Sequence, residues 1–165
     1  MPVSKNVIDA LNAQMGRELE AHLQYLSISS WFDAEGLPEL TKFFAAQAAE
    51  EHAHAMRFLT YIQDVGGPVE IPALAAPKPS FENAEDAVAA SLAWENEVTS
   101  HIHALVDLAN ADNDHATQVF LQWFVTEQVE EVSTMSELLQ VTKRAGEANL
   151  LLLDDYVARS VATPE

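Results

Sequence analysis

A chain of 165 residues, 48% of them hydrophobic, is long enough to bury one substantial core, and a formal charge of -18 from 26 acidic against 8 basic side chains excludes phosphate backbones and anionic lipid surfaces as natural partners. With no cysteine there is no disulfide, no zinc-thiolate site and no thiol nucleophile. The expectation is one domain over 1–165, binding neither nucleic acid nor membrane. A cytoplasmic place is expected because Met1-Pro2-Val3-Ser4-Lys5-Asn6 leads straight into amphipathic sequence and no apolar run is long enough to span a bilayer.

The first segment begins at Ser4 as N-cap and runs to about Asp33, closing before Glu35-Gly36-Leu37-Pro38. A second runs from Pro38, at a first-turn position, to Val65 and stops at Gly66-Gly67-Pro68. The stretch from Gly66 to Pro79 holds Pro68, Pro72, Pro77 and Pro79, which suits an extended crossover along a bundle better than a domain linker, because neither half alone encloses a core. Helix resumes near Ser80 as N-cap and continues to about Asn110. Asp112-Asn113-Asp114 makes a turn, and a fourth helix extends from Asp114 to Arg144, with Gly146 as its stop. A short fifth segment covers Glu147 to about Ser160. The expected fold is all-α: a four-helix bundle with a long crossover between the second and third helices and a short C-terminal fifth helix.

Heptad rows expose the chemistry. In the first segment Ile8, Met15, His22 and Ser29 lie beside Leu11, Glu18, Tyr25 and Phe32; in the second, Leu40, Gln47, His54 and Tyr61 lie beside Phe44, Glu51, Phe58 and Val65. The third gives Val88, Glu95, Ile102 and Ala109, and the fourth Phe124, Glu131, Leu138 and Ala145 beside Leu121, Gln128, Met135 and Thr142. Each apolar seam is thus broken near its middle by a glutamate. At about 1.5 Å per residue, Glu18 and Glu51 fall roughly 20 Å from their helix starts, so the breaks come level in an antiparallel bundle. A buried carboxylate needs a partner, and no Lys or Arg lies in a seam near the breaks, so two metal ions are the simplest neutralisers. Glu51 and His54, three apart, share a helix face and can hold one ion between oxygen and imidazole nitrogen.

These residues resemble the ferritin-like di-iron carboxylate family, a template named in the general description of helix bundles. Bacterial non-haem ferritins are most similar, through Asn12-Ala13-Gln14-Met15 before Glu18, through Glu50-Glu51-His52-Ala53-His54, and through Leu121-Gln122-Trp123-Phe124-Val125-Thr126-Glu127-Gln128-Val129-Glu130-Glu131. The resemblance implies that Glu18, Glu51 and His54 hold a first iron and that Glu95, Glu131 and a bridging Glu51 hold a second. It implies a third, inner-surface iron on Glu50, Glu127 and Glu130, Gln128 beside the pair, and Tyr25 as an electron donor. It further implies a ferroxidase that oxidises Fe(II) to Fe(III) with O2 or H2O2, and a homo-oligomeric cage of 24 subunits storing ferric mineral. Bacterioferritins repeat Glu-x-x-His in both ligand pairs and hold haem through a methionine after the second helix's ligand glutamate; here the second pair is Gln128-x-x-Glu131 and His52 takes the methionine's place, so no haem is expected.

The remaining polar and aromatic residues read as follows. His22 bonds locally, His101 and His103 lie on the surface, and Trp31, Trp94 and Trp123 anchor helix contacts. Asp112, Asp114 and His115 either line a cation channel or form an ordinary capped turn. Leu150 to Leu153 meet other subunits. Two other functions fit the same residues: a non-storing di-iron oxidase or peroxidase, which forms a small oligomer without mineral, and a metal-free helical scaffold, which keeps its stability when Glu18 and Glu51 become alanine.

Overall fold

Ser4 opens the first helix: its hydroxyl accepts from the Val7 amide at 3.3 Å, and α1 runs Lys5–Ala34. The computed structural model describes residues 3–160; both ends of the expected 1–165 domain, residues 1–2 and 161–165, lie outside the described residues. α1 closes where Gly36 takes a left-handed φ of 74° and the Leu37 amide reaches back to the Phe32 carbonyl at 3.1 Å. α2 follows at once over Pro38–Asp64. No described helix is long and apolar enough to cross a membrane.

The connector to the third helix lies along α1. Asn12 holds it at both faces of its amide, donating to the Pro68 carbonyl at 2.9 Å and accepting from the Glu70 amide at 2.8 Å. Further on, Glu20 accepts from Ala75 N at 2.8 Å, Gln24 accepts from Lys78 N at 2.8 Å, and Ser27 donates to the Lys78 carbonyl at 2.7 Å. The partners rise in step along both segments, so the connector runs parallel to α1 and carries the chain back to the end of the bundle where α2 began. Gly16 permits the approach, since a Cβ there would lie 2.3 Å from Pro72 Cγ.

α3 then spans Ala84–Ala111 and α4 spans His115–Ala145, followed by a 3-10 turn at Glu147–Asn149 and α5 over Leu150–Ser160. α3 begins three residues later than Ser80 as N-cap suggests. Its N-cap is Asn83, whose side chain accepts from the Asp86 amide at 2.8 Å, while the preceding residues remain tied to α1 through Lys78. The fifth segment likewise opens as a 3-10 turn before becoming α-helix. Asp114 caps α4 by accepting from the Thr117 amide at 3.1 Å, and Asp112 accepts from the Ser4 hydroxyl, so both acids are engaged in the turn. Leu153 is buried in the chain's own core, whereas Leu151 and Leu152 stay 75% and 67% exposed.

The core divides in two. One cluster gathers Phe32, Leu40, Phe44, Val88 and Leu138 at the end where α1 finishes; the other gathers Leu11, Phe58, Ile102, Leu121 and Phe124 at the opposite end. Between them the seams switch from apolar to acidic at the positions the heptad rows identify, so the fold supplies a dry wall above and below a layer of polar side chains.

Candidate metal centre

All four helices contribute to this layer. Glu18 comes from α1, Glu51 and His54 from α2, Glu95 from α3, and Gln128 and Glu131 from α4. None is more than 5% exposed, so water cannot compensate their charges. Among the described residues no Lys or Arg lies within ion-pair distance of Glu18, Glu51, Glu95 or Glu131.

Two groups of donors converge. Glu18, Glu51 and His54 present ligand atoms within 4.8 Å of one another, and so do His54, Glu127 and Glu131. His54 belongs to both: its Nδ1 lies 3.3 Å from Glu51 Oε2 and its Nε2 4.0 Å from Glu127 Oε1. Trp123 and Phe124 stand edge-on to its ring, at centroid distances of 5.3 and 5.9 Å, and fix its plane. Three atoms of the inner group, Glu18 Oε2, Glu51 Oε2 and His54 Nδ1, are buried without a hydrogen-bond partner. Buried polar atoms rarely stay unpaired, and the three together could hold one cation.

Glu95 belongs to neither group. It accepts from the Tyr25 hydroxyl and stands 3.5 Å from Gln128 Nε2, while Thr99 donates to Gln128 Oε1 at 2.8 Å. Tyr25, Glu95, Gln128 and Thr99 therefore form a chain beside the inner donors. Glu50 accepts from Gln47 at 2.7 Å and, with Glu127, is half-buried; Glu130 is exposed. These three acids lead from the buried layer to the surface.

Gln14 stands in the sequence only as part of a motif. In the structure it is fully buried, donates to Glu18 Oε1 at 2.8 Å and accepts from Arg17 at 3.3 Å, fixing one Glu18 oxygen and leaving the other free. Its spacing of four residues from Glu18 is the sequence signal for that role. His22 bonds to the Ala48 carbonyl at 2.7 Å, across to α2. His103 is exposed as expected, but His101 is partly buried, with Nδ1 enclosed and unpaired, because its helix face turns toward the bundle. Trp31 packs edge-on against Phe32 and Phe81, and Arg57 lies 3.7 Å above the Trp123 ring.

The electrostatics follow from burial. Desolvation, then the neighbouring Glu95 and Glu18, holds Glu51 well above the usual carboxylate range; burial also raises Glu18, against the adjacent Glu51 and the bond from Gln14. Glu131 is pushed up to about 9 by burial and by Glu95, Glu50, Glu127 and Glu130, and burial brings Glu95 and Glu50 to about 7. His54 is lowered to about 4 by burial and by Arg57. Burial outweighs its closeness to Glu51. Burial thus favours the neutral forms of Glu131 and His54 at neutral pH, and a cation that enters beside Glu131 displaces a proton to bind.

An antiparallel bundle with a long crossover and a buried layer of carboxylates around one imidazole defines a helical metal protein of the carboxylate class. Residues 8–145 match the description Ferritin: Ferritin-like domain, and the chain belongs to the ferritin family. It is 41% identical over 149 residues to Ferritin BfrB of Mycolicibacterium smegmatis, covering 90% of this chain and 82% of that one. It is 38% identical over 152 residues to a bacterial non-heme ferritin of Staphylococcus aureus, covering 92% of each. The fold superposes on the open-pore ferritin of the archaeon Archaeoglobus fulgidus with a TM-score of 0.92 at 33% identity, covering 96% of this chain and 98% of that one. The engineered closed form of that ferritin gives 0.91, with 95% and 97% covered.

Proposed function

We propose that the chain is an iron-storage ferritin that oxidises Fe(II) at the buried layer and deposits ferric mineral inside a cage of 24 copies in the cytoplasm, the whole of 1–165 acting as one domain. The observation that carries this reading is the trio of orphaned donors, Glu18 Oε2, Glu51 Oε2 and His54 Nδ1. Two oxygens and one imidazole nitrogen suit Fe(II), and the surplus of carboxylates favours the higher charge of Fe(III).

Iron is substrate here. One Fe(II) takes Glu18, Glu51 and His54. A second takes Glu51 as the bridge, with Glu95 and Glu131. A proton leaves Glu131 as the ions enter. Each Fe(II) yields one electron, and O2 with two protons accepts the pair as H2O2, or H2O2 itself is the acceptor. Where only one Fe(II) reacts, Tyr25, whose hydroxyl donates to Glu95, supplies the second electron and a proton in this reading. Glu50, Glu127 and Glu130 receive a third iron at the inner surface. No haem takes part in this scheme.

The test is aerobic addition of excess Fe(II) to metal-free protein while ferric absorbance is followed, with the product then sized. Oxidation faster than in buffer and a large iron-filled particle support the proposal. A rate equal to buffer defeats it, and catalytic oxidation by a small, empty oligomer identifies a non-storing oxidase instead.

A further inference from the structure

Two histidines outside the carboxylate layer face each other across α1 and α2. The rings of His22 and His52 lie 5.6 Å apart between centroids, inclined at 58°. His22 is half-buried and His52 exposed.

The proton on His22 is located by its partner. Nδ1 stands 2.7 Å from the Ala48 carbonyl oxygen, and a carbonyl only accepts, so Nδ1 carries the hydrogen and Nε2 keeps a lone pair. In the helical ladder the same carbonyl takes the amide of the residue four further on, which is His52. The carbonyl that fixes the His22 ring therefore sits one turn before His52 on α2. A ring N–H donated to a backbone carbonyl is the arrangement that orients and strengthens imidazole as a metal ligand.

We infer that His22 and His52 form a second metal site, a bis-imidazole pair for a borderline divalent cation such as Cu2+, Ni2+ or Zn2+. Two imidazole nitrogens on one ion at about 2.0–2.1 Å put their ring centroids roughly 5 to 6 Å apart, and the observed spacing falls in that range. Water completes the coordination on the exposed side, where His52 admits the ion. The donor chemistry is opposite to that of the buried layer: a nitrogen pair selects Cu2+, Ni2+ and Zn2+, whereas the carboxylates select iron.

The test is a Cu2+ titration followed by electron paramagnetic resonance. In a Glu18→Gln/Glu51→Gln/His54→Asn background, which lacks the three donors of the first iron, about one Cu2+ per chain is expected at the pair, with hyperfine coupling to two imidazole nitrogens. His52→Asn in that background removes one nitrogen from the spectrum and weakens binding by about tenfold or more. In the otherwise native chain, His52→Asn lowers the total Cu2+ bound by one ion per chain and leaves the rate of Fe(II) oxidation unchanged. A spectrum without two-nitrogen coupling overturns the site, and so does Cu2+ binding indifferent to His52→Asn. If the triple variant fails to fold, the Cu2+ count in the native chain decides the question.

Discussion

The Asp154 carboxylate on α5 accepts the backbone N–H of Leu40 at 2.8 Å, and the same oxygen takes the Glu39 amide at 3.0 Å. α2 starts with Pro38 and has no side-chain cap of its own, so a residue more than a hundred positions away closes its N-terminus. The cap is buried, and the helix dipole favours the negative charge. Asp154→Ala is expected to destabilise the chain by about 1–2 kcal/mol, with Asp154→Asn recovering most of the loss. Thermal unfolding of the metal-free protein measures it. An unchanged midpoint in the alanine variant would show that α5 does not cap α2.

The acids of the centre set a pH dependence whose sign can be worked out. Burial raises Glu131 from 4.5 to about 9 and Glu95 to about 7, so between those limits the folded chain holds more protons than the unfolded one. Their contribution to stability is full below about 4.5 and is lost as pH rises through the folded values. His54 acts oppositely: its value drops from 6.5 to about 4, so its contribution is present above 6.5 and is lost as pH falls toward 4. Above 6.5 the carboxyls act alone. The unfolding temperature of metal-free protein should fall from pH 6.5 to 9, at about 1.4 kcal/mol per pH unit for each proton of difference. Glu131→Gln should flatten that slope above pH 7. Parallel curves for the two proteins in scanning calorimetry would mean that Glu131 is not protonated at rest.

The same protons must leave when metal enters. Glu131, raised to about 9, is a neutral acid at pH 7, and Glu51 is raised by burial and by Glu95 and Glu18, so anaerobic Fe(II) binding should release at least about one proton per chain. Calorimetric titration in two buffers of different ionisation enthalpy counts them. Glu131→Gln should reduce the count by about one. Binding with no buffer dependence would contradict neutral acids in the resting centre.

Much of this was legible in the sequence. The seam breaks at Glu18, Glu51, Glu95 and Glu131 follow from helical periodicity alone, and the crossover from its four prolines. What was not legible depends on three-dimensional partners. Asn83 replaces Ser80 as the cap of α3 because the connector's bonds to α1 keep the chain extended past Lys78, which no local pattern states. Gln14 gains its role through the direction of its amide, and Asp154 through the docking of α5. The grouping of His54 with both Glu51 and Glu127 is likewise invisible to a heptad, because Glu127 lies one position outside the inward row.

That grouping separates two roles for Glu127. His54 presents Nδ1 to the inner donors and Nε2 to Glu127, at 3.3 and 4.0 Å. If Nδ1 binds the first iron, Nε2 carries the ring hydrogen, and the Glu127 carboxylate, 4.0 Å away and beyond direct hydrogen-bond reach, favours the positive charge the ring then shares with the ion. Glu127→Gln keeps the shape and removes the charge, so it should weaken binding of the first Fe(II) by about tenfold. Were Glu127 engaged only with a third, inner-surface iron, the first binding step would be untouched and only the count at high Fe(II) would drop. Anaerobic Fe(II) titration of Glu127→Gln distinguishes these outcomes, with Glu130→Gln as the control: Glu130 is exposed and does not join His54, so its loss should spare the first step. Equal first-step affinities in wild type and Glu127→Gln would assign Glu127 to the inner-surface ion alone.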